Sequence, residues 1–279
     1  MPDTRRILLI GQDPIMERLR ALPRLAGHEF EACEGGVQAL QIVRTRDIGL
    51  AVTDPAQPIA EDVALARELR AARPGIKVIV LGPAATSQEI IAAIRAHVFA
   101  CYTPPFDADD IGAMAASGLE EPDWRDGIEV VSGLPYWLTL RVSCRLGSAD
   151  RLVRFLTEYQ TELPEMDRHA LITAFREMLV NAMEHGAGFD PEQVVEVTAA
   201  RTERAIVYYL RDPGPGFSRS NLEHAAVFNP PGDPVHHLHR RLEKGMRPGG
   251  FGILIAQRVA DELVYNEPGN QVILIKHLK

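Results

Sequence analysis

Three stretches in the second half of the chain carry side chains suited to nucleotide chemistry. In the first, Glu177 and Asn181 lie four residues apart where apolar residues recur at helical spacing. Residues four apart share one side of a helix, so the carboxylate and the carboxamide would point the same way. An amide oxygen can bind a hard cation such as Mg²⁺, and a carboxylate can accept a proton from an attacking hydroxyl. The same spacing also fits a solvated polar stripe on an amphipathic helix.

The second stretch is a turn rich in glycine and proline that contains Asp212, Gly214 and Gly216 and follows the aliphatic run 206–210. An aspartate at a strand end can accept a hydrogen bond from an exocyclic amine. Glycines let the backbone bend closely against a flat ring. An ordinary turn with the pattern D-x-G is the simpler interpretation, so this stretch carries little weight by itself.

The third stretch contains Gly249, Gly250 and Gly252 and opens into a helix predicted over 253–262. Backbone N–H groups at a glycine-rich helix start can converge on a phosphate. The stretch lacks the lysine of a P-loop, and it does not follow the strand that a dinucleotide fingerprint requires. A flexible connection that leads into a helix remains the alternative.

The elements that must position these residues fall into two groups. Residues 1–120 alternate short aliphatic runs with helical patterns five times, which predicts a flavodoxin-like α/β domain with a parallel five-stranded sheet. Residues 121–134 lack apolar periodicity and are predicted to be a linker. Residues 135–279 mix helices with antiparallel strands, which predicts an α+β two-layer sandwich.

Several local elements are predicted in more detail. Apolar residues predict a helix over 167–185, and two strands, 194–200 and 204–211, could form a hairpin. Strands are also expected at 263–266 and 271–277, whereas 221–248 shows weak structure. In the first domain, Ser87 is the expected N-cap of a helix.

Composition excludes several classes of protein. The formal net charge of −8 disfavours a general binder of nucleic acid or anionic membrane, because those partners require a strong basic field. Three widely spaced cysteines provide neither a metal-binding pair nor a disulfide framework, which favours a reducing cytoplasm. The apolar run 7–10 is too short for a signal peptide or a membrane span.

The ordered set of three stretches resembles the ATPase fold shared by histidine kinases, gyrase-type ATPases and anti-sigma factor kinases. This likeness to the Bergerat-type ATP-binding fold covers roughly residues 135–279. Residues 177–186 (EMLVNAMEHG) and 250–261 (GFGILIAQRVAD) are most similar to the anti-sigma serine kinases. There is no room ahead of the fold for a dimerising phosphoacceptor helix pair, so a complete histidine kinase is not expected.

The resemblance implies a role for each candidate residue. Asn181 would bind Mg²⁺, Glu177 would act as a base or orient the attacking hydroxyl, and Asp212 would bind the adenine amine. Glycines would shape the adenine wall and lie under the phosphates; they are Gly214 and Gly216 for the wall, and Gly249, Gly250 and Gly252 for the phosphates.

A basic, histidine-rich segment, residues 236–247, lies between the second and third stretches. Its clustered histidines lack a cysteine or an acidic fourth ligand, which disfavours a zinc site. The resemblance makes this segment the lid over ATP. Such a lid would be mobile without nucleotide and would cover the phosphates when nucleotide binds.

Residues 5–118 resemble a response-regulator receiver domain. Asp54, followed four residues later by a proline, stands at the phosphoacceptor position. The other expected residues are missing: Gly11 and Gln12 stand for the acidic pair, Gly82 for the hydroxyl residue and Pro104 for the lysine. Mg²⁺ requires clustered oxygen ligands, so ordinary phosphorylation of Asp54 is not expected. The domain is interpreted as a degenerate receiver that docks proteins or dimerises.

Taken with the composition, the two resemblances imply a cytoplasmic signalling protein that binds ATP and Mg²⁺ and phosphorylates a Ser or Thr of an antagonist protein. The resemblance implies an anti-sigma antagonist of the STAS type and, as a second partner, a sigma factor. No direct nucleic-acid or membrane partner is expected, and a homodimer is left open. Two alternatives remain, a non-catalytic ATP-dependent binding module and a stand-alone ATPase. The presence of Glu177 favours catalysis.

Overall fold

The computed structural model describes residues 5–120, 126–159, 163–216, 233, 236–243 and 251–278. The chain divides into two compact units. Unit 1 comprises Met1–Asp126 with Arg154–Tyr159, and unit 2 comprises Gly127–Val153 with Gln160–Lys279. Among the described residues, no helix combines the length and the apolar character needed to cross a membrane.

Unit 1 is built around a parallel sheet. Its strands are β1 (Arg6–Ile10), β2 (Glu29–Cys33), β3 (Ile48–Val52), β4 (Lys77–Leu81) and β5 (Ala100–Tyr102). Its helices are α1 (Pro14–Arg20), a 3₁₀ turn (Pro23–Leu25), α2 (Gly36–Thr45), α3 (Ile59–Ala72), α4 (Ser87–Arg95) and α5 (Ala108–Glu120). The strand order is β2-β1-β3-β4-β5, with every pair parallel. This order is that of flavodoxin-like receiver folds, and it confirms the predicted class.

The aliphatic runs noted in the sequence form the inner strands of this sheet. Leu8, Leu50 and Val80 are fully buried, because helices on both faces exclude water from a parallel sheet. The N-cap of α4 differs from the prediction. Thr86, not Ser87, holds that position, since its hydroxyl accepts from the N–H of Glu89 while the Glu89 carboxylate accepts from the N–H of Thr86.

Unit 2 is built around an antiparallel sheet of six strands. The strands are β6 (Ile128–Leu134), β7 (Trp137–Ser143), β8 (Val194–Arg201), β9 (Ala205–Arg211), β10 (Glu262–Tyr265) and β11 (Gln271–His277), in the order β10-β11-β9-β8-β7-β6. The helices that follow β7 along the chain are α6 (Leu146–Tyr159), α7 (Glu165–Asn181), α8 (His236–Glu243) and α9 (Gly252–Val259). Sheet and helices give the predicted α+β arrangement.

Helix α7 packs against this sheet through its apolar face. Leu171, Phe175 and Leu179 are fully buried, as their helical spacing predicts. The ring of Phe175 lies 4.6 Å from that of Tyr208 on β9, at a tilt of 38°. This contact fixes α7 above the strand that leads to Asp212, so the first two candidate stretches are held by one core.

Three local expectations need revision. Residues 128–134, assigned to the linker, form strand β6, whose alternating half-exposed residues leave no continuous apolar run in the sequence. Residues 236–243 form a helix inside the segment expected to have weak structure. The helix predicted over 167–185 begins at Glu165 and, as an α-helix, ends at Asn181, after which Ala182–Gly186 continue as a π-helix. The hairpin of β8 and β9 is confirmed.

Candidate functional site

Helix α7 presents Glu177 and Asn181 on a half-exposed side, opposite its buried apolar face. The α-helical pattern ends at Asn181, and the chain turns through the wider π-helix up to Gly186. Single π-helical turns are uncommon and often accompany functional sites. Here the π-helix carries the chain from the polar side of α7 towards the end of β9.

The start of α9 lies directly against these two polar side chains. A Cβ atom at Gly252 would lie 3.0 Å from the Oε2 atom of Glu177 and 3.0 Å from the Nδ2 atom of Asn181. The two polar atoms are therefore at most about 6 Å from one another. Glycine at this position lets the first turn of α9 approach the carboxylate and the carboxamide together.

Asp212 lies just beyond the end of β9, half-buried. Its Oδ1 atom accepts a hydrogen bond of 2.9 Å from the N–H of Gly214. Burial raises the pKa of Asp212 above its usual value, and this hydrogen bond opposes the rise because it favours the carboxylate. Asp212 is therefore a partly desolvated carboxylate that its own turn holds in place. It can still accept a hydrogen bond from the amine of a ligand.

The backbone of Gly186 packs directly against the Asp212 carboxylate. A Cβ atom at Gly186 would lie 2.3 Å from the Oδ1 atom and 2.4 Å from the Cγ atom of Asp212. A Cβ atom at Gly214 would in turn lie 2.7 Å from the carbonyl oxygen of Gly186. Two backbone segments without side chains thus close around one carboxylate, and this contact joins the first and second stretches.

Gly216 is held against the turn between β10 and β11. Its φ of +85° lies in the left-handed region, which glycine adopts without steric cost. A Cβ atom here would lie 1.9 Å from the carbonyl oxygen of Pro268, so no other residue fits without moving the turn. The conformation and the close approach both require glycine.

The structure brings most of the predicted site residues together. Glu177 and Asn181 meet Gly252, while Asp212 and Gly214 meet the end of the same π-helix that follows Asn181. Gly249 and Gly250 lie outside the described residues, and so does part of the predicted lid.

Sequence reasoning missed Gly186, Asn266, Pro268 and Asn270, which all belong to the surroundings of the turn Asp212–Gly216. Gly186 closes the stretch 177–186, but its partner lies 26 residues further along, and nothing local in the sequence marks that contact. The pattern N-E-P-G-N at 266–270 indicates only a tight turn.

Asp54 in unit 1 lies just beyond the carboxyl end of β3, as predicted, and is half-buried. Gly11, at a φ of +94°, leaves no room for a side chain, since a Cβ atom there would lie 2.5 Å from the Cγ atom of Asp54. The Asp54 Oδ1 atom accepts from the N–H of Ala56 at 3.0 Å. A Cβ atom at Gly82 would lie 2.3 Å from the Cγ1 atom of Ile59, so an apolar side chain occupies the space beside the missing hydroxyl.

The donor set near α7 fits a magnesium ion that is delivered with a nucleotide. Mg²⁺ commonly takes one or two protein oxygens, several waters and the phosphates of its substrate. Asn181 provides a carboxamide on the half-exposed side of α7, where its Nδ2 atom lies 3.0 Å from the Cβ position of Gly252 and its oxygen is the atom that could bind the ion. The ion would be held by Asn181 and would neutralise phosphate charge.

Comparison with known proteins identifies the second half of the chain. Residues 142–276 match the family model of the histidine kinase-like ATPase domain. This segment is therefore similar to histidine kinase-like ATPase domains. ATP binding is the property that such a domain implies, and the candidate residues of α7, α9 and the turn after β9 all lie within the matched segment.

Two curated relatives are also similar. The transcriptional regulatory proteins GlrR of Escherichia coli (strain K12) and QseF of Escherichia coli O157:H7 are each 26% identical over 147 residues, 50% of this chain. The match covers only about a third (33%) of the length of either relative.

The similar solved structures include receiver domains. The CheY-like receiver domain protein from Methanospirillum hungatei JF-1 is 22% identical, covers 43% of this chain and 98% of its own, and gives a TM-score of 0.39. The receiver domain of an HD domain-containing protein from Pseudomonas fluorescens Pf-5 is also 22% identical, over 42% of this chain and 95% of its own, with a TM-score of 0.38. The receiver-like fold of unit 1 is shown by its strand order, β2-β1-β3-β4-β5.

Proposed function

We propose that the histidine kinase-like ATPase domain binds Mg-ATP and transfers the γ-phosphoryl group to a Ser or Thr hydroxyl of an antagonist protein of the STAS type. The observation that supports this most directly is the approach of Gly252 to both Glu177 and Asn181. It brings a candidate general base, a candidate magnesium ligand and a helix N-terminus around one small space. Phosphoryl transfer depends chiefly on such positioning and on charge neutralisation.

In this reaction the hydroxyl oxygen of the antagonist attacks the γ-phosphorus atom. The bond from that phosphorus to the bridging oxygen of ADP breaks, and ADP leaves with the electron pair. The hydroxyl proton passes to the carboxylate of Glu177. Bound magnesium would screen the phosphate charge from the side of Asn181, while Asp212 would hold the adenine through its exocyclic amine.

The receiver-like unit is proposed to regulate this transfer as a protein-docking module rather than as a phosphoacceptor. The tight contact of Gly11 with Asp54 and the intrusion of Ile59 beside Gly82 support this view. A sigma factor is proposed as the second partner, so that phosphorylation of the antagonist would switch the chain between two proteins. A homodimer of the chain is compatible with this scheme.

The proposal is tested by incubating the full chain with labelled ATP, Mg²⁺ and purified STAS-type antagonist candidates. We expect label on a Ser or Thr of one candidate. Replacement of Glu177 by alanine should leave ATP affinity nearly unchanged and abolish transfer, because the carboxylate acts on the hydroxyl and not on the nucleotide. Glu165→Ala is the matched control, since Glu165 begins the same helix about 18 Å away.

Two outcomes would contradict the kinase function. ATP binding without any labelled protein favours the non-catalytic ATP-dependent binding module. Release of inorganic phosphate with no labelled protein favours a stand-alone ATPase. Transfer at the unaltered rate by Glu177→Ala would show that this carboxylate is not the base.

A further inference from the structure

The turn between β10 and β11 is built as a rigid unit. The Oδ1 atom of Asn266 accepts from the N–H of Gly269 at 2.9 Å and from the N–H of Gln271 at 3.0 Å. Gly269 has a φ of +84°, which glycine tolerates and which lets the chain reverse within this turn. One side chain therefore ties both ends of the turn.

The same turn aims the carboxamide of Asn270. The Nδ2 atom of Asn266 donates to the Oδ1 atom of Asn270 at 2.8 Å. With its oxygen occupied in this way, Asn270 directs its own Nδ2 atom to the carbonyl oxygen of Gly214 at 3.0 Å. The two carboxamides form a relay that runs from the turn to the loop after β9.

Three contacts from this turn hold the loop of Asp212–Gly216. The backbone N–H of Asp212 donates to the carbonyl oxygen of Asn270 at 3.0 Å. The carbonyl of Gly214 accepts from the Asn270 side chain, and Gly216 rests against the carbonyl of Pro268. The loop is thus fixed at its beginning, its middle and its end by one short segment of the chain.

The middle contact has a direct consequence for the Asp212 carboxylate. The two peptide groups that flank the Cα atom of Gly214 face different partners, since the N–H side bonds the Asp212 Oδ1 atom and the C=O side bonds Asn270. Fixing the carbonyl restricts rotation about Gly214, because a glycine would otherwise have more conformational freedom than any other residue type. The direction of the N–H, and with it that of the carboxylate, then depends on Asn270.

The hairpin is itself anchored to α7. The hydroxyl of Tyr265 on β10 donates to the Sδ atom of Met178 at 3.4 Å, one residue after Glu177. The turn therefore has a defined place relative to the helix that carries the proposed base.

We infer that Asn270 is a positioning residue for nucleotide selectivity, which orients the Asp212 carboxylate through Gly214 without touching the ligand. The inference rests on the proposed function, in which Asp212 accepts from the amine of adenine. A fixed carboxylate favours ATP, whose ring carries an amine, over GTP, whose ring carries a carbonyl oxygen at the corresponding position. A carboxylate that can rotate away discriminates less between the two.

The test compares Asn270→Ala and Asn270→Asp with the unaltered full chain. Asn270→Asp keeps nearly the same shape but removes the donor to Gly214, so it also serves if the alanine variant does not fold. The loss of one hydrogen bond predicts an ATP affinity weakened by about three- to tenfold. Calorimetry with Mg-ATP and Mg-GTP should show that the preference for ATP shrinks by a similar factor. In the transfer assay, the KM for ATP should rise while kcat stays the same.

Thr202→Ala is the matched control. The Thr202 hydroxyl accepts from the N–H groups of Arg204 and Ala205 in the turn between β8 and β9. That turn lies at the opposite end of β9 from Asp212, about 23 Å away. Loss of the Thr202 hydroxyl should lower the melting temperature but leave the ratio of ATP to GTP affinity unchanged, because it loosens a turn that does not face the site.

The outcomes separate this inference from the proposed function. If the unaltered chain binds ATP and both Asn270 variants keep its affinity and its ATP preference, the positioning role is refuted and the proposed function stands. The positioning role is equally refuted if the Asn270 variants alter the ratio of affinities no more than Thr202→Ala does. If the unaltered chain does not bind ATP, the proposed function fails, and the inference fails with it.

Discussion

Replacement of Gly186 by alanine would place a methyl group in the space that the Asp212 carboxylate occupies. The new Cβ atom would lie 2.3 Å from the Oδ1 atom and 2.5 Å from the Cβ atom of Asp212. Close carbon–oxygen contacts are normally about 3.3 Å, so the carboxylate has to move by about 1 Å. The backbone of Asp212 cannot follow freely, because its N–H donates to the carbonyl of Asn270.

Moving the Asp212 carboxylate costs free energy, because the carboxylate loses hydrogen bonds. The displaced carboxylate loses the hydrogen bond of 2.9 Å from the N–H of Gly214. A hydrogen bond to a charged group contributes about 1.5–3 kcal/mol. If Asp212 anchors the adenine, the displaced carboxylate also loses its hydrogen bond from the adenine amine, and a loss of about 2 kcal/mol there weakens ATP binding roughly 30-fold. Overpacking should also lower the free energy of unfolding by about 1–3 kcal/mol.

The assay is calorimetric titration of the full chain with Mg-ATP, with thermal unfolding measured in parallel. Gly188→Ala is the matched control in the same segment. Gly188 has a φ of +59°, so alanine there costs about 1–2 kcal/mol of backbone strain. Nothing lies within 4 Å of its Cβ position, however, so Asp212 is not displaced. This control should lose stability and keep its ATP affinity.

Unchanged ATP affinity in Gly186→Ala, with the variant folded, would refute the reasoning. It would mean that the carboxylate beside Gly186 does not hold the nucleotide. An equal loss of affinity in Gly188→Ala would instead show that general destabilisation, and not the position of Asp212, weakens binding.

Further predictions concern titration and unit 1. Burial raises the pKa of Asp62 to about 7, although the Thr53 hydroxyl donates to it at 2.6 Å. The folded state then binds this proton more tightly than the unfolded state, so stability falls as the pH rises from about 4 to about 7. In Asp62→Asn, the free energy of unfolding should fall by up to about 4 kcal/mol less over this pH range. The check is to measure unfolding of both proteins at several pH values; equal slopes of the free energy of unfolding against pH would contradict the prediction. Burial also raises the pKa of Asp212. ATP affinity should therefore begin to weaken at a higher pH than it would with a carboxyl of ordinary pKa. In calorimetry, the Asp212→Asn variant should not show this pH dependence of ATP affinity. Asp54 should take up no phosphoryl group from a small-molecule phosphodonor such as acetyl phosphate, since Gly11, Gly82 and Pro104 stand where a receiver carries its acidic, hydroxyl and lysine residues; a phosphate adduct in mass spectrometry would contradict this prediction.

Much of the fold follows from local patterns in the chain. The fully buried residues of β1, β3 and β4 appear in the sequence as continuous aliphatic runs, because a parallel sheet covered on both faces requires them. The buried face of α7 appears as helical spacing, because only one side of the helix meets the sheet. Strand β6 escapes prediction, since an edge strand with alternating half-exposed residues resembles a polar connection.

The candidate site is only partly predictable. Glu177 and Asn181 can be paired from their spacing, because helix geometry alone puts them on one side. Gly186 and Asn270 cannot be found in this way, since each acts on residues of another element: Gly186 on Asp212, 26 positions further along, and Asn270 on Gly214, 56 positions before it. Sequence spacing contains no record of such distant contacts.

The amino-acid sequence alone therefore determines which residue types could serve phosphoryl transfer and which of them lie on the same helix or at the end of a strand. Those properties depend on a few neighbouring residues, where the backbone sets the period and the direction of the side chains. The meeting of Gly252 with Glu177 and Asn181, the support of Asp212 by Gly186, and the hold of Asn270 on the loop all come from tertiary packing. These contacts arise when separate elements bury their apolar faces against one sheet, and the packing of those faces sets how closely distant backbones approach.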